Sequence, residues 1–94
     1  MSVPKQHYKD LYQLMAAISS EGEAKKLLED MLTPQELDSL AERWQIVQEL
    51  EKGTSQRNIS KKLGVSISKV TRGSRVMQYG TGAVKTLLSR LYTL

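Results

Sequence analysis

Apolar residues recur at every third or fourth position along almost the whole of this chain. Tyr8, Leu11, Tyr12, Met15 and Ile18 form one stripe at helical spacing, and Ala24, Leu27, Leu28 and Met31 form a second. Ser19, Ser20 and Gly22 punctuate the interval between them. "LTPQEL" then reads as a helix start, with Thr33 as N-cap, Pro34 in the first helical position and Glu36 three residues after the cap. The helix it opens carries Leu37, Leu40, Trp44, Ile46, Val47 and Leu50, and Gly53 stops it. Ser55 caps the next helix, Gly64 ends it, and Ser66 caps another. A break at Tyr79-Gly80-Thr81-Gly82 precedes a last stripe at Val84, Leu87, Leu88 and Leu91. No segment alternates with period two over strand length. The pattern predicts an all-α fold of about six helices.

Size changes how those stripes must be used. A chain of 94 residues buries only about 60–65% of its unfolded surface. There is no cysteine to cross-link it, and the single histidine, His7 in an N-terminus expected to fray, has no Cys/His cluster for a metal. Oligomerisation is the remaining remedy. The N-terminal stripes lack internal partners, so a homodimer, intertwined in the sense that helices cross between protomers, is expected. The chain reads as one helical domain over 1–94. Within it, 1–53 supply core and dimerisation helices, 54–78 a helix-turn-helix segment, and 81–94 a C-terminal dimerisation helix. No basic-then-apolar signal segment and no apolar run near 18 residues is present, so a cytoplasmic protein without membrane contact is expected.

Charge divides the chain sharply. All ten acidic residues lie between Asp10 and Glu51, and with the six basic residues that precede Gly53 they give the first part of the chain a net −4. Beyond Gly53 there are eight basic residues and no acidic one, a net +8. Self-repulsion in such a segment is relieved by an acidic partner, and nucleic acid is the obvious class. The same segment holds "SQRNISKKLGVSISKVTRGS", in which Ile59, Leu63, Val65 and Val70 make a small core around a turn at Gly64. That is the logic of a helix-turn-helix, whose second helix enters the major groove of double-stranded DNA. The reading positions are Ser66, Ile67, Ser68 and Lys69, with Thr71 one turn on and Arg57 at the start of the first helix. Hydroxyls and cations bond phosphates and base edges, and Ile67 can meet a thymine methyl.

One position breaks the pattern. Three residues after Val70 the apolar period calls for a core side chain, and the sequence has Gly73 between Arg72 and Ser74. Glycine inside a helix costs about 1 kcal/mol against alanine. Either another helix approaches closely there, or a ligand takes the space.

"LTPQELDSLAERWQIVQELEKG" followed by "SQRNISKKLGVSISKVTRGS" resembles the tryptophan operon repressor family over roughly residues 28–78. The combination of "MLTP", Arg43 nine residues beyond Pro34, and "TRGS" in the second helix is more specific than any helix-turn-helix alone. The resemblance implies a DNA-binding repressor with L-tryptophan as corepressor and no other cofactor. It places the indole between the guanidinium groups of Arg43 and Arg72, where a planar cation over a π-face attracts. The ligand carboxylate then pairs with Arg72 and Thr33, and its ammonium meets helix-end carbonyls around Asp30 and Leu32 of the partner chain. Gly73 would leave the space that the ligand fills. Without ligand the two recognition helices would be mis-spaced, and the ligand would set them to successive major grooves, about 34 Å apart.

The chain also departs from that family. The segment between Gly53 and Ser55 is one residue short, Ser60 replaces a frequent basic residue, Lys69 stands where threonine is common, and Val76 stands where a small polar residue helps hold the ligand. A regulator answering to another small molecule, or to none, is therefore a second reading, and the DNA-binding module of a recombinase or transposase a third. No serine or threonine forms a nucleophile constellation with His7, and Glu36, Asp38 and Glu42 read as a solvated helix face. An enzyme is not expected.

Overall fold

The computed structural model describes residues 2–92, which contain six helices and no strand. They are α1 (Lys5–Ala16), α2 (Glu21–Met31), α3 (Pro34–Glu51), α4 (Gln56–Leu63), α5 (Ile67–Tyr79) and α6 (Ala83–Tyr92). The chain divides into two compact units, Met1–Leu37 and Asp38–Leu94.

The first unit is built from short-range capping. The Ser20 hydroxyl accepts the Glu23 N–H at 3.1 Å, while the Glu23 carboxylate accepts the N–H and O–H of Ser19, both at 2.9 Å. Those bonds, the backbone one foremost, hold the Glu23 carboxyl below its ordinary value. Because Ser20 is the cap, Gly22 sits inside the first turn of α2 and is not a break. His7 is likewise within α1, its N–H donating to the Pro4 carbonyl at 3.0 Å, and not in a frayed end. Thr33 and Glu36 complete the reciprocal cap foreseen for α3, with Glu36 N–H to Thr33 Oγ1 at 3.1 Å and Thr33 N–H to Glu36 Oε1 at 2.8 Å. Neither α1 nor α2 contains a buried residue, and Tyr12 and Met31 are 65% and 60% exposed.

The second unit contains the core. Ile46 of α3, Ile59 of α4, Val65 of the turn and Val70 of α5 form one buried cluster, with Leu50 and Leu63 packed against it. Ile59 and Val70 are wholly buried, a gain of about 1.5–3 kcal/mol each. Ser55 caps α4 by accepting the Asn58 N–H at 3.2 Å, and Ser66 caps α5 by accepting the Lys69 N–H at 3.3 Å. Between them Gly64 takes φ +66°, the left-handed conformation that only glycine adopts cheaply. Ser60 locks this turn: its hydroxyl donates to the Val65 carbonyl at 2.6 Å, and its own carbonyl accepts the Val65 N–H at 3.2 Å.

Candidate functional site

The two helices around Gly64 present the sequence's candidate DNA-reading residues outward. Arg57, Ser66, Ile67, Ser68, Lys69 and Thr71 are all exposed. They are not equally free. The Ser66 oxygen is engaged as the α5 cap, and the Thr71 hydroxyl lies 3.0 Å from Gln56 Oε1 and 2.9 Å from the Ile67 carbonyl, tying α5 to α4. Lys69 reaches back to Glu42 of α3, Nζ to Oε1, at 2.8 Å. The side chains of Arg57, Ile67 and Ser68 make no hydrogen bond or ion pair among the described residues.

Of the eight cations beyond Gly53, only Lys62 and Lys69 have an acidic partner among the described residues. Lys62 belongs to a cluster that fixes α4 on α3. The buried Glu49 carboxylate accepts Lys62 Nζ at 3.0 Å, Thr54 Oγ1 at 3.0 Å and Lys52 Nζ at 3.3 Å. Hydrogen bonds from Lys62 and then Thr54 outweigh burial and hold this carboxyl below its ordinary value of 4.5. A carboxylate depressed on folding adds stability above its unfolded pKa, and that stability is lost as pH falls through the folded one. Glu49→Gln should therefore melt below wild type at neutral pH, and the two melting curves should converge as pH drops below about 4.5, the ordinary carboxylate value. A melting difference unchanged down to acid pH would remove Glu49 from the fastening of α4.

Behind the reading face lies a cleft of about 100 Å³ between α3 and α5, lined by Ser39, Glu42, Arg43 and Ile46 on one wall and Lys69, Arg72 and Gly73 on the other. Arg43, Arg72 and Gly73 are thus brought together. Neither guanidinium has an ion-pair or hydrogen-bond partner among the described residues. Val76, also named from the sequence, lines a different cleft with Met77 and the turn from Gly80 to Lys85. Asp30, Leu32 and Thr33 belong to the first unit. Asp30 lies in the last turn of α2 and Leu32 is its extended C-cap. The residue that would donate to the Asp30 carbonyl in a continuing helix is Pro34, which has no N–H. Thr33 uses its oxygen as acceptor in the α3 cap and keeps its own proton to donate.

Gly73 requires a correction. It is buried, and a Cβ built on it would come within 2.7 Å of Ile46 Cγ2 and 3.4 Å of Leu50 Cδ1. Real Cβ atoms do not approach so closely, so the missing side chain first of all lets α5 lie directly on Ile46. The expectation that it simply leaves empty space for a ligand fails on this contact, although Gly73 also lines the cleft.

Fold and site together define an all-helical helix-turn-helix protein with an arginine-lined cleft behind its second helix. The family described as Trp repressor protein matches residues 6–92. A Trp operon repressor homolog from Vibrio parahaemolyticus is 40% identical over 88 residues, 89% of this chain and 85% of that protein. One from Xylella fastidiosa (strain M23) is 37% identical over 75 residues, 79% of this chain and 82% of its own length. The solved structure of a TrpR like protein from Eubacterium eligens superposes with a TM-score of 0.86 at 27% identity, covering 96% of this chain and 93% of that one. The chain belongs to the Trp repressor family. It is a family of regulators and not of enzymes, and its match along nearly the whole chain displaces the recombinase or transposase reading.

Proposed function

We propose that this protein is a transcriptional repressor that binds operator DNA as a homodimer in the cytoplasm, with L-tryptophan as its corepressor. The observation that carries the reading is the meeting of Arg43 and Arg72, two unpaired guanidinium groups on facing helices, directly behind the DNA-reading end of α5. An indole between them gains cation–π attraction on both faces. Arg72 serves the carboxylate, and the helix-end carbonyls around Asp30 and Leu32 of a partner chain serve the ammonium.

The cleft also supplies a mechanism. At about 100 Å³ it is smaller than the cavity of about 150 Å³ that admits benzene in a protein interior. A ligand that seats between α3 and α5 better at one spacing of the two helices than at another favours that spacing. Ligand binding and the position of the reading helix are then one equilibrium, biased by the ligand's differential affinity for the two spacings. No helix among the described residues is long and apolar enough to cross a membrane.

A saturating corepressor must stabilise the fold. L-tryptophan at 100 times its dissociation constant should add about 2.7 kcal/mol, read as a rise in melting temperature, and Arg72→Ala should abolish the rise. A wild-type melt that ignores tryptophan would favour the second reading, a regulator with another effector. The charged Glu42–Lys69 pair on the cleft rim and the removal of Val76 to another cleft speak for that alternative. The dimer rests on α1 and α2, whose apolar stripes have no buried member. Sedimentation should give a dimer at micromolar concentration, and a stable folded monomer would overturn it.

A further inference from the structure

The cleft between α3 and α5 is well supplied with donors and poorly supplied with acceptors. Arg43, Lys69 and Arg72 donate and cannot accept, and Ile46 and Gly73 offer no polar side-chain atom. The carbonyls of all these residues lie inside α3 or α5, where helical N–H groups take them. Side-chain acceptors come from two residues, the exposed Ser39 and the half-buried Glu42. Glu42 gives Oε1 to Lys69, and Oε2 makes no hydrogen bond among the described residues.

An effector that binds in this cleft meets cationic donors for its oxyanion on both walls, Arg43 on α3 and Lys69 and Arg72 on α5. Any N–H that it brings, and that no carbonyl of a partner chain receives, must be taken by an acceptor of the cleft or be stranded as the cleft covers it. We infer that Glu42 is the specificity-determining residue of the effector site: its carboxylate receives an N–H of the ligand, so that the cleft selects an amine- or ring-N–H-bearing aromatic acid over one whose polar groups are all oxyanions. This rests on the effector reading above and adds a contact the resemblance does not supply. Lys69, the other member of the pair, keeps one carboxylate oxygen occupied and leaves the second for the ligand.

Calorimetric titration of the full-length protein tests this with three probes. L-tryptophan carries both N–H groups, 3-(indol-3-yl)propanoate lacks the ammonium, and 1-methyl-L-tryptophan lacks the ring N–H. Glu42→Met keeps the size and helix preference of the side chain and removes the carboxylate. It should weaken L-tryptophan about 10- to 100-fold, the range of a hydrogen bond to a charged group. It should leave one analogue within about twofold, and that analogue identifies the N–H that Glu42 receives. If Glu42 only steadies Lys69, all three carboxylate-bearing probes weaken together, and the proposal falls. It falls equally if L-tryptophan binding is unchanged. Should Glu42→Met not fold by circular dichroism, Glu42→Ala decides by the same comparison. A wild-type protein that binds none of the probes overturns the effector reading itself, and this one with it.

Discussion

Raising monovalent salt from about 50 to about 200 mM should weaken operator binding by about 10³- to 10⁵-fold. That range follows if the bound dimer neutralises roughly 6–10 phosphates, because each contact releases condensed counterions and the log–log slope is about −0.9 per phosphate, or −5 to −9 in all. The second unit is made for such a response. Arg57, Lys61, Arg72, Arg75, Lys85 and Arg90 have no acidic partner among the described residues, so phosphate need not displace an internal carboxylate to reach them. Lys69 differs, since Glu42 already holds it at 2.8 Å. Fluorescence anisotropy on a labelled duplex across a salt series measures the slope. Arg57→Ala should reduce its magnitude by about two, one contact being lost from each protomer, with little change in sequence preference if Arg57 meets a phosphate. A flat salt response would mean that this basic face serves something other than DNA.

The second large effect concerns the fold. Gly73→Leu should lower the melting temperature of the unliganded protein, against the rule that leucine stabilises a helix relative to glycine. Propensity returns at most about 1 kcal/mol. Forcing methylenes into a packed core typically costs 1–3 kcal/mol and sometimes more. Here the cost lies at the upper end, because the nearest atom is a methyl on the branched Cβ of the buried Ile46, which cannot swing aside as a chain end could. In a domain of this size each kcal/mol moves the midpoint by about 4–8 °C. Ile46→Ala removes the obstructing methyl, so the double variant should recover part of the loss that Gly73→Leu causes on its own. A Gly73→Leu protein that melts at or above wild type would return the glycine to the role of an empty berth for a ligand.

The boundaries of the helices were legible because each depends on neighbours within a few residues. Thr33, Pro34 and Glu36 form their cap from four consecutive positions, and Ser55, Gly64 and Ser66 act on the turns beside them. Even Gly22 misled only about a boundary, since a glycine in the first turn is tolerated once Ser20 supplies the cap. The arginine-lined cleft was legible through a resemblance alone: nothing local to Arg43 says that Arg72 lies opposite. Side-chain bonds across the fold left no signal. Glu49 to Lys62 spans 13 positions and Glu42 to Lys69 spans 27; in sequence Glu42 read as part of an ordinary polar helix face, and nothing singled out Glu49. Ser60 looked like the loss of a cation, whereas its hydroxyl had been recruited to close the turn. Gly73 announced an anomaly without naming its cause, because periodicity records an absent side chain and not the atom that needs the room.

The burial of Ile46 beneath α4 and α5 also bears on how this reader could be transplanted. A cassette cut from Ser55 to Tyr79 would look complete, with both helices, their caps and every exposed reading residue. It would leave behind Ile46 and Leu50, which floor the cluster of Ile59, Val65 and Val70, and the two acids that fasten Lys62 and Lys69. The grafted piece would carry the lettering without the page. A portable version has to begin by Ser39, so that the later part of α3 travels with it, and a recipient scaffold must tolerate about sixteen extra residues of helix and turn ahead of Ser55.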